Sequence, residues 1–265
     1  MEQVTSYDGT VIGYQRTGAG QPLLLVHGST ADHSRWSKIL PQFESCFTVY
    51  VMDRRGRGAS SDSPNYDLMR EAEDVAAVIE VAFEQVGKPV SVLGHSVGGL
   101  CSLEAALLTN RVSKLILYEP PLPTGLPLYA PDFPDKMQER IARGEFEAAL
   151  ELFLREEVKM PEHELAVYRS QPMWHERIKI VPTVLREIVI DRNYTFDAAK
   201  FAKFQIPTLL LLGGDSPSIF QQAIETLAAA LPSSRIATMP GQQHIAMDTD
   251  PDLFLKEVLR FLQPE

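Results

Sequence analysis

The sequence predicts an α/β protein built on a mostly parallel sheet. Two observations carry this. Uninterrupted apolar runs such as 22–27 (PLLLVH) and 47–52 (FTVYVM) have the character of strands buried on both sheet faces. They alternate with segments whose apolar residues recur at spacings of three and four, as in helices lying against a sheet. Apolar residues make up 45% and charged residues 23% of the chain, which excludes disordered and collagen-like sequence.

Residues 1–6 and 10–16 read as two strands joined by a turn at Asp8-Gly9. Strands 22–27 and 47–52 follow. The segment 67–86 reads as a helix because Ala72, Val75, Ala76, Ile79 and Phe83 fall on one face, and Gly87 ends it. Strand 89–94, helix 97–109 and strand 113–118 (SKLILY) continue the alternation. The character changes after Glu119. Six of the nineteen prolines lie between Pro120 and Pro134, which stiffens a loop. From about 135 to 204 the segments look helical, punctuated by Gly144, Pro161, Pro172 and Pro182, with no strand-like run. Alternation resumes with strand 207–212 (PTLLLL), helix 217–230, strand 234–239 and a closing helix 250–263. The chain is therefore read as an α/β core, 1–119 and 207–265, carrying a helical insertion at 120–206. That division also brings the 265 residues within the size of a core and an appended unit.

Lys and Arg total 25 against 35 Asp and Glu, a formal charge of −10. Such a surface repels phosphate backbones and anionic lipid, so no nucleic acid and no membrane are expected as partners. It also disfavours strongly anionic small molecules unless the pocket supplies its own cations. Cys46 and Cys101 make no disulfide framework and no CxxC pair. HExxH, EF-hand, dinucleotide-fingerprint and phosphate-loop motifs are absent, so neither metal nor cofactor is implied. The start Met1-Glu2-Gln3-Val4 lacks a basic n-region, and the longest apolar runs are too short for a bilayer, so a cytoplasmic location is expected.

The sharpest chemical signal is Gly94-His95-Ser96-Val97-Gly98, a G-x-S-x-G between a buried strand and a helix. A serine on such a turn exposes its hydroxyl, and the glycines admit neighbouring backbone where a Cβ would clash. The following N–H, from Val97, lies at a helix N-terminus where negative charge is favoured. Three further motifs accompany it. Leu24-Leu25-Val26-His27-Gly28-Ser29 ends a strand, Asp53-Arg54-Arg55-Gly56-Arg57-Gly58 follows another, and Pro240-Gly241-Gln242-Gln243-His244 stands just past the last strand.

In this order and spacing the four motifs resemble the α/β-hydrolase superfamily over nearly the whole chain. The resemblance implies an eight-stranded, mostly parallel sheet flanked by helices, with 120–206 as the cap. It implies Ser96 as nucleophile and His244 as general base, with an oxyanion hole from the Val97 and Ser29 N–H groups. Serine needs an adjacent imidazole to take its proton, so the roles agree with the chemistry. His27 and His95 are read as shaping loops, and His163 and His175 as solvated or packed. Many relatives carry the acid as G-x-x-D after the strand matching 207–212. Here Gly213-Gly214-Asp215-Ser216 puts aspartate one residue early. The superfamily has a second location, at the end of the strand after the nucleophile helix, and Glu119 occupies it. Glu119 is the favoured acid and Asp215 the alternative.

Thr30, His33, Tyr129 and Trp174 are candidates to line the substrate pocket, with Phe133, Met137 and Met173 beside them in the insertion; packing explains the insertion residues equally well. Arg54, Arg55 and Arg57 are read as structural contacts, and Asp248 and Asp250 as caps of the last helix. The expected activity is hydrolysis of a small-molecule carboxylic ester or lactone. A carbon–carbon bond hydrolase, a cofactor-free perhydrolase and a slow-turnover ligand receptor use the same motifs.

Overall fold

Glu2–Thr5 (β1), Val11–Gly18 (β2), Gln21–Val26 (β3), Phe47–Met52 (β4), Val90–His95 (β5), Val112–Tyr118 (β6), Thr208–Gly213 (β7) and Ser234–Met239 (β8) form one sheet in the order β1-β2-β4-β3-β5-β6-β7-β8. The computed structural model describes residues 1–125 and 129–263, the side chains of 189–193 excepted. Strand β2 runs antiparallel to both neighbours, and every other pairing outside the β1–β2 edge is parallel. The central strands bury almost every side chain, as their continuous apolar runs predict. From β3 the chain crosses to β4 on one side and later to β5 on the other. Loops leaving the carboxyl ends of β3 and β5 therefore diverge and open a crevice there.

Helices Leu40–Glu44 (α1), Leu68–Val86 (α2), Val97–Ala105 (α3), Ser218–Ala230 (α8), Ala246–Thr249 (α9) and Pro251–Leu262 (α10) belong to the α/β part. The Asp67 side chain caps α2 by accepting from the Arg70 N–H, and Gly87 closes it at φ 73. Helix α3 ends at Ala105, four residues before the predicted end, in turns that close onto the carbonyls of Glu104 and Ala105. Asp250 caps α10 through the Leu253 N–H, whereas Asp248 pairs instead with Arg35.

Among the described residues four α-helices lie between β6 and β7: Phe133–Ala142 (α4), Phe146–Glu156 (α5), Glu162–Ser170 (α6) and Trp174–Asn193 (α7). Among the described residues this stretch contains no strand. Its apolar stripes, including Met137, Leu150, Phe153 and Val184, join the cluster that Leu23, Leu25 and Val51 form on one sheet face. Each such side chain contributes roughly 1.5–3 kcal/mol on full burial.

Ion pairs add a second attachment. Arg54, after β4, donates to Glu71 of α2 at 2.6 and 3.0 Å and to Glu187 of α7 at 2.9 Å. Arg57 donates to Glu187 at 2.7 Å. Both arginines and both glutamates are buried. Arg55 is buried too, in a bidentate pair with Asp74 at 2.6 and 2.8 Å. Among the described residues no helix is long and apolar enough to cross a membrane.

Candidate active site

Ser96 joins β5 to α3 at φ 54, ψ −131. That region crowds any side chain and costs on the order of 1–3 kcal/mol, so the surroundings must enforce it. They do so by close backbone approach. A Cβ on Gly98 would lie 2.3 Å from the His27 carbonyl oxygen, and one on Gly94 would lie 2.5 Å from that of Gly98. The loop after β3 thus presses onto the first turn of α3, bringing Gly28 against Ser96. Val97 is the first residue of α3, so its N–H has no acceptor within the helix.

His244 follows β8. Its Nδ1 lies 2.7 Å from Glu119 Oε2, and donation along that bond leaves Nε2 of the neutral ring as a proton acceptor. The ring stacks on Phe220 with centroids 4.7 Å apart. His95 Nε2 donates to the His244 carbonyl at 2.9 Å. The Tyr118 hydroxyl donates to the Gln243 carbonyl and accepts from the Ala246 N–H, which fixes the loop on both sides of His244.

Glu119 directly follows β6, fully buried and at φ 44. Burying a carboxylate is costly unless its oxygens are satisfied. Oε1 accepts from the Gly213 N–H at 2.7 Å and the Ser216 hydroxyl at 2.6 Å, while Oε2 takes the imidazole. Asp215 is exposed. The one-residue offset noted in the sequence therefore has a counterpart: where G-x-x-D relatives place a carboxylate, Ser216 supplies a donor to the carboxylate on the neighbouring strand.

The other histidines are engaged or distant. Burial, then the Arg54 charge, pushes His27 down to about 4; its Nδ1 pairs with the Gly28 carbonyl and its Nε2 accepts from the Arg54 N–H. Burial and the neighbouring His244 hold His95 well below the usual range. His163 and His175 are exposed.

Ser96 and His244 line one pocket, of about 30 Å³, together with Ser29 and Thr30 from the β3 loop. That is room for about one water molecule. The inserted helices close it with Phe153, Leu154, Met160 and Tyr168 among others.

Three expected lining residues sit elsewhere. His33 turns to Asp53, with its N–H and Nδ1 at 2.7 and 2.8 Å from one carboxylate oxygen. Tyr129 is buried against Phe133 and donates to the Ile188 carbonyl at 3.0 Å. Trp174 is buried in the insertion and donates to Glu147 at 2.7 Å. Each has found a local partner that turns it from the pocket. Phe133 and Met137 are likewise core, while Met173 borders a second cavity described below. Sequence reasoning missed Arg35 and Arg177, which line the pocket while nearly fully buried. Asp32, His33 and Asp53 bring ligand-type atoms within 4.8 Å of one another. Asp32 caps the turn at Ser34, and Asp53 binds His33 and the Ala59 N–H, so hydrogen bonds account for the group.

Comparison with known proteins agrees with this architecture. The chain is similar to an alpha/beta hydrolase of Sphaerobacter thermophilus, at 32% identity, TM-score 0.85 and coverage of 99% of this chain and 100% of that one. It is 26% identical to a non-heme haloperoxidase of Rhodococcus erythropolis, over 99% of this chain and 100% of that protein. It is 22% identical to the esterase YbfF of Escherichia coli, over 91% and 92%. The model of the alpha/beta hydrolase family matches residues 23–257. The chain belongs to the alpha/beta hydrolase family, and it is a hydrolase enzyme.

Proposed function

We propose that the enzyme is a serine hydrolase of small-molecule carboxylic esters or lactones. The observation that carries this reading is the Glu119–His244 hydrogen bond beside a serine held at positive φ. Glu119 fixes the tautomer of His244 and stabilises its charged form. His244 Nε2 takes the Ser96 proton as Oγ attacks the carbonyl carbon. The oxyanion is met by the N–H groups of Val97 and Ser29. The imidazolium then returns the proton to the leaving alkoxide, leaving an acyl-enzyme. Water, deprotonated by His244, attacks that ester, and the acid departs as Ser96 recovers its proton. Residues 120–206 act as a cap.

The test pairs a fluorophosphonate probe with aryl esters and lactones graded in chain length and ring size. Labelling lost in Ser96→Ala, with many turnovers per enzyme, is expected; turnover that stops after one equivalent fits a receptor, and absent labelling overturns the reading. The haloperoxidase relative favours one further activity on the same residues, perhydrolysis. Peracid formation from a carboxylic acid and hydrogen peroxide measures it.

A further inference from the structure

The buried arginines of the pocket have no part in the chemistry just described. Arg35 and Arg177 are 4% and 1% exposed, and both line the small pocket that holds Ser96 and His244. Both also line an adjoining cavity of about 410 Å³, bordered by Lys38 and Gln171. Arg35 faces Asp248 at 2.6 Å, yet its Nε and Nη2 are buried without partners. Arg177 donates one N–H to the Thr30 carbonyl at 2.9 Å and lies over the Tyr168 ring at 4.2 Å. Among the described residues it has no carboxylate partner, and its Nε is buried and unsatisfied.

A buried cation without a counter-ion costs several kcal/mol, and an unmet guanidinium donor adds to that. Burial and the like charge of Arg35 hold the Arg177 guanidinium below its usual range, against the opposing pull of Tyr168, Asp248 and Asp32. The protein as a whole carries a formal charge of −10, so this cationic corner runs against its surroundings.

We propose that Arg177 and Arg35 are specificity-determining residues that bind a carboxylate on the substrate, so that the preferred substrate is an ester or lactone bearing a free carboxylate. The scissile carbonyl then sits at Ser96 and the carboxylate at the wall shared by the two cavities. A carboxylate fits better than a phosphate dianion. Asp248 already offsets Arg35, leaving Arg177, among the described residues, as the buried cation in surplus, and its planar fork matches two carboxylate oxygens. This inference rests on the serine-esterase reading.

The experiment compares monomethyl succinate with methyl butyrate, which has a methyl in place of the carboxylate. Each is assayed with wild type, Arg177→Met and Arg177→Lys, and succinate is tested separately for a thermal shift. Wild type is expected to favour the charged ester in kcat/KM by about 10- to 100-fold, chiefly through KM. Arg177→Met removes that ratio and Arg177→Lys restores part of it; taking the ratio cancels any general disturbance of the Thr30 loop. Succinate raises the melting temperature of wild type but not of Arg177→Met. Equal kcat/KM for the two esters with no succinate shift overturns the carboxylate site and leaves the esterase standing. A succinate shift that depends on Arg177, without turnover of either ester, supports the site and overturns the esterase. If Arg177→Met does not fold, the wild-type ester ratio and succinate shift decide alone.

Discussion

Replacing Glu119 by Gln changes one oxygen to a nitrogen, in a group whose hydrogen bonds are all accounted for. Oε1 must keep accepting from the Gly213 N–H and the Ser216 hydroxyl, so the amide oxygen takes that side. The amide NH₂ then faces His244 Nδ1, where Oε2 stood 2.7 Å away. Two N–H groups cannot share that contact. The imidazole moves its proton to Nε2, where it can no longer accept from Ser96. Loss of the correct tautomer and of the counter-charge costs about 10⁴ in kcat where it has been measured in triads, or about 5.4 kcal/mol of transition-state stabilisation. Fold and melting behaviour are read by circular dichroism, and turnover on an aryl acetate gives kcat. Asp215→Asn, at an exposed position, is the control and leaves kcat within about twofold. If Glu119→Gln keeps a tenth of the activity, or Asp215→Asn loses most of it, the assignment of the acid is wrong.

Three other outcomes follow from particular contacts. Glu187→Ala strips the counter-ion from the buried Arg57 and leaves Arg54 with Glu71 alone, and it is expected to cost about 3–5 kcal/mol, lowering the melting temperature by roughly 6–20 °C; a drop under about 2 °C refutes the importance of these pairs. Gly98→Ala brings a Cβ to 2.3 Å from the His27 carbonyl, so the β3 loop must shift, at a cost of roughly 1–3 kcal/mol and with loss of activity. Wild-type melting and activity in that variant contradict the close approach. Burial, then the charges of Glu119 and Asp248, pushes Glu164 from an ordinary 4.5 up to about 7. A folded-state value above the unfolded one means the folded protein holds this proton more tightly, so the contribution is full below 4.5 and lost as pH rises through 7. Glu164→Gln therefore matches wild-type stability at pH 4.5 and exceeds it at pH 8. Coincident stability–pH curves exclude the effect.

What the sequence revealed follows the range of the contacts involved. The central strands β3 to β7 declare themselves because burial on both faces demands unbroken apolar runs, and helices such as α2 because periodicity and caps are local. The turn at Ser96 is legible because the need for Gly94 and Gly98 arises within a few residues of the serine. Glu119 against Asp215 could not be settled that way. The hydrogen bonds that satisfy the Glu119 carboxylate, from Gly213 and Ser216, come from residues 94 and 97 positions away. His33, Tyr129 and Trp174 were misplaced because composition marks a side chain as apolar or polar without giving its direction. Arg35 and Arg177 left no local signal, since a charged residue reads as surface until distant segments close over it. Arg177 meets the Thr30 carbonyl across 147 residues.

Segments inserted between strands are the parts of a domain most free to change in length and sequence. Glu187 limits that freedom here. It is the carboxylate partner of Arg57 and shares Arg54 with Glu71, joining α7 to the sheet side. A foreign helical segment spliced in for 120–206 would orphan the buried Arg57 guanidinium, and leave Arg54 with Glu71 alone, as well as change the pocket. The insertion is therefore not a separable cassette. A working chimera must bring an acidic residue to the place of Glu187, or replace Arg57 with an apolar side chain. Divergence in substrate preference then has to proceed through residues facing the pocket, with the junction inherited as one unit.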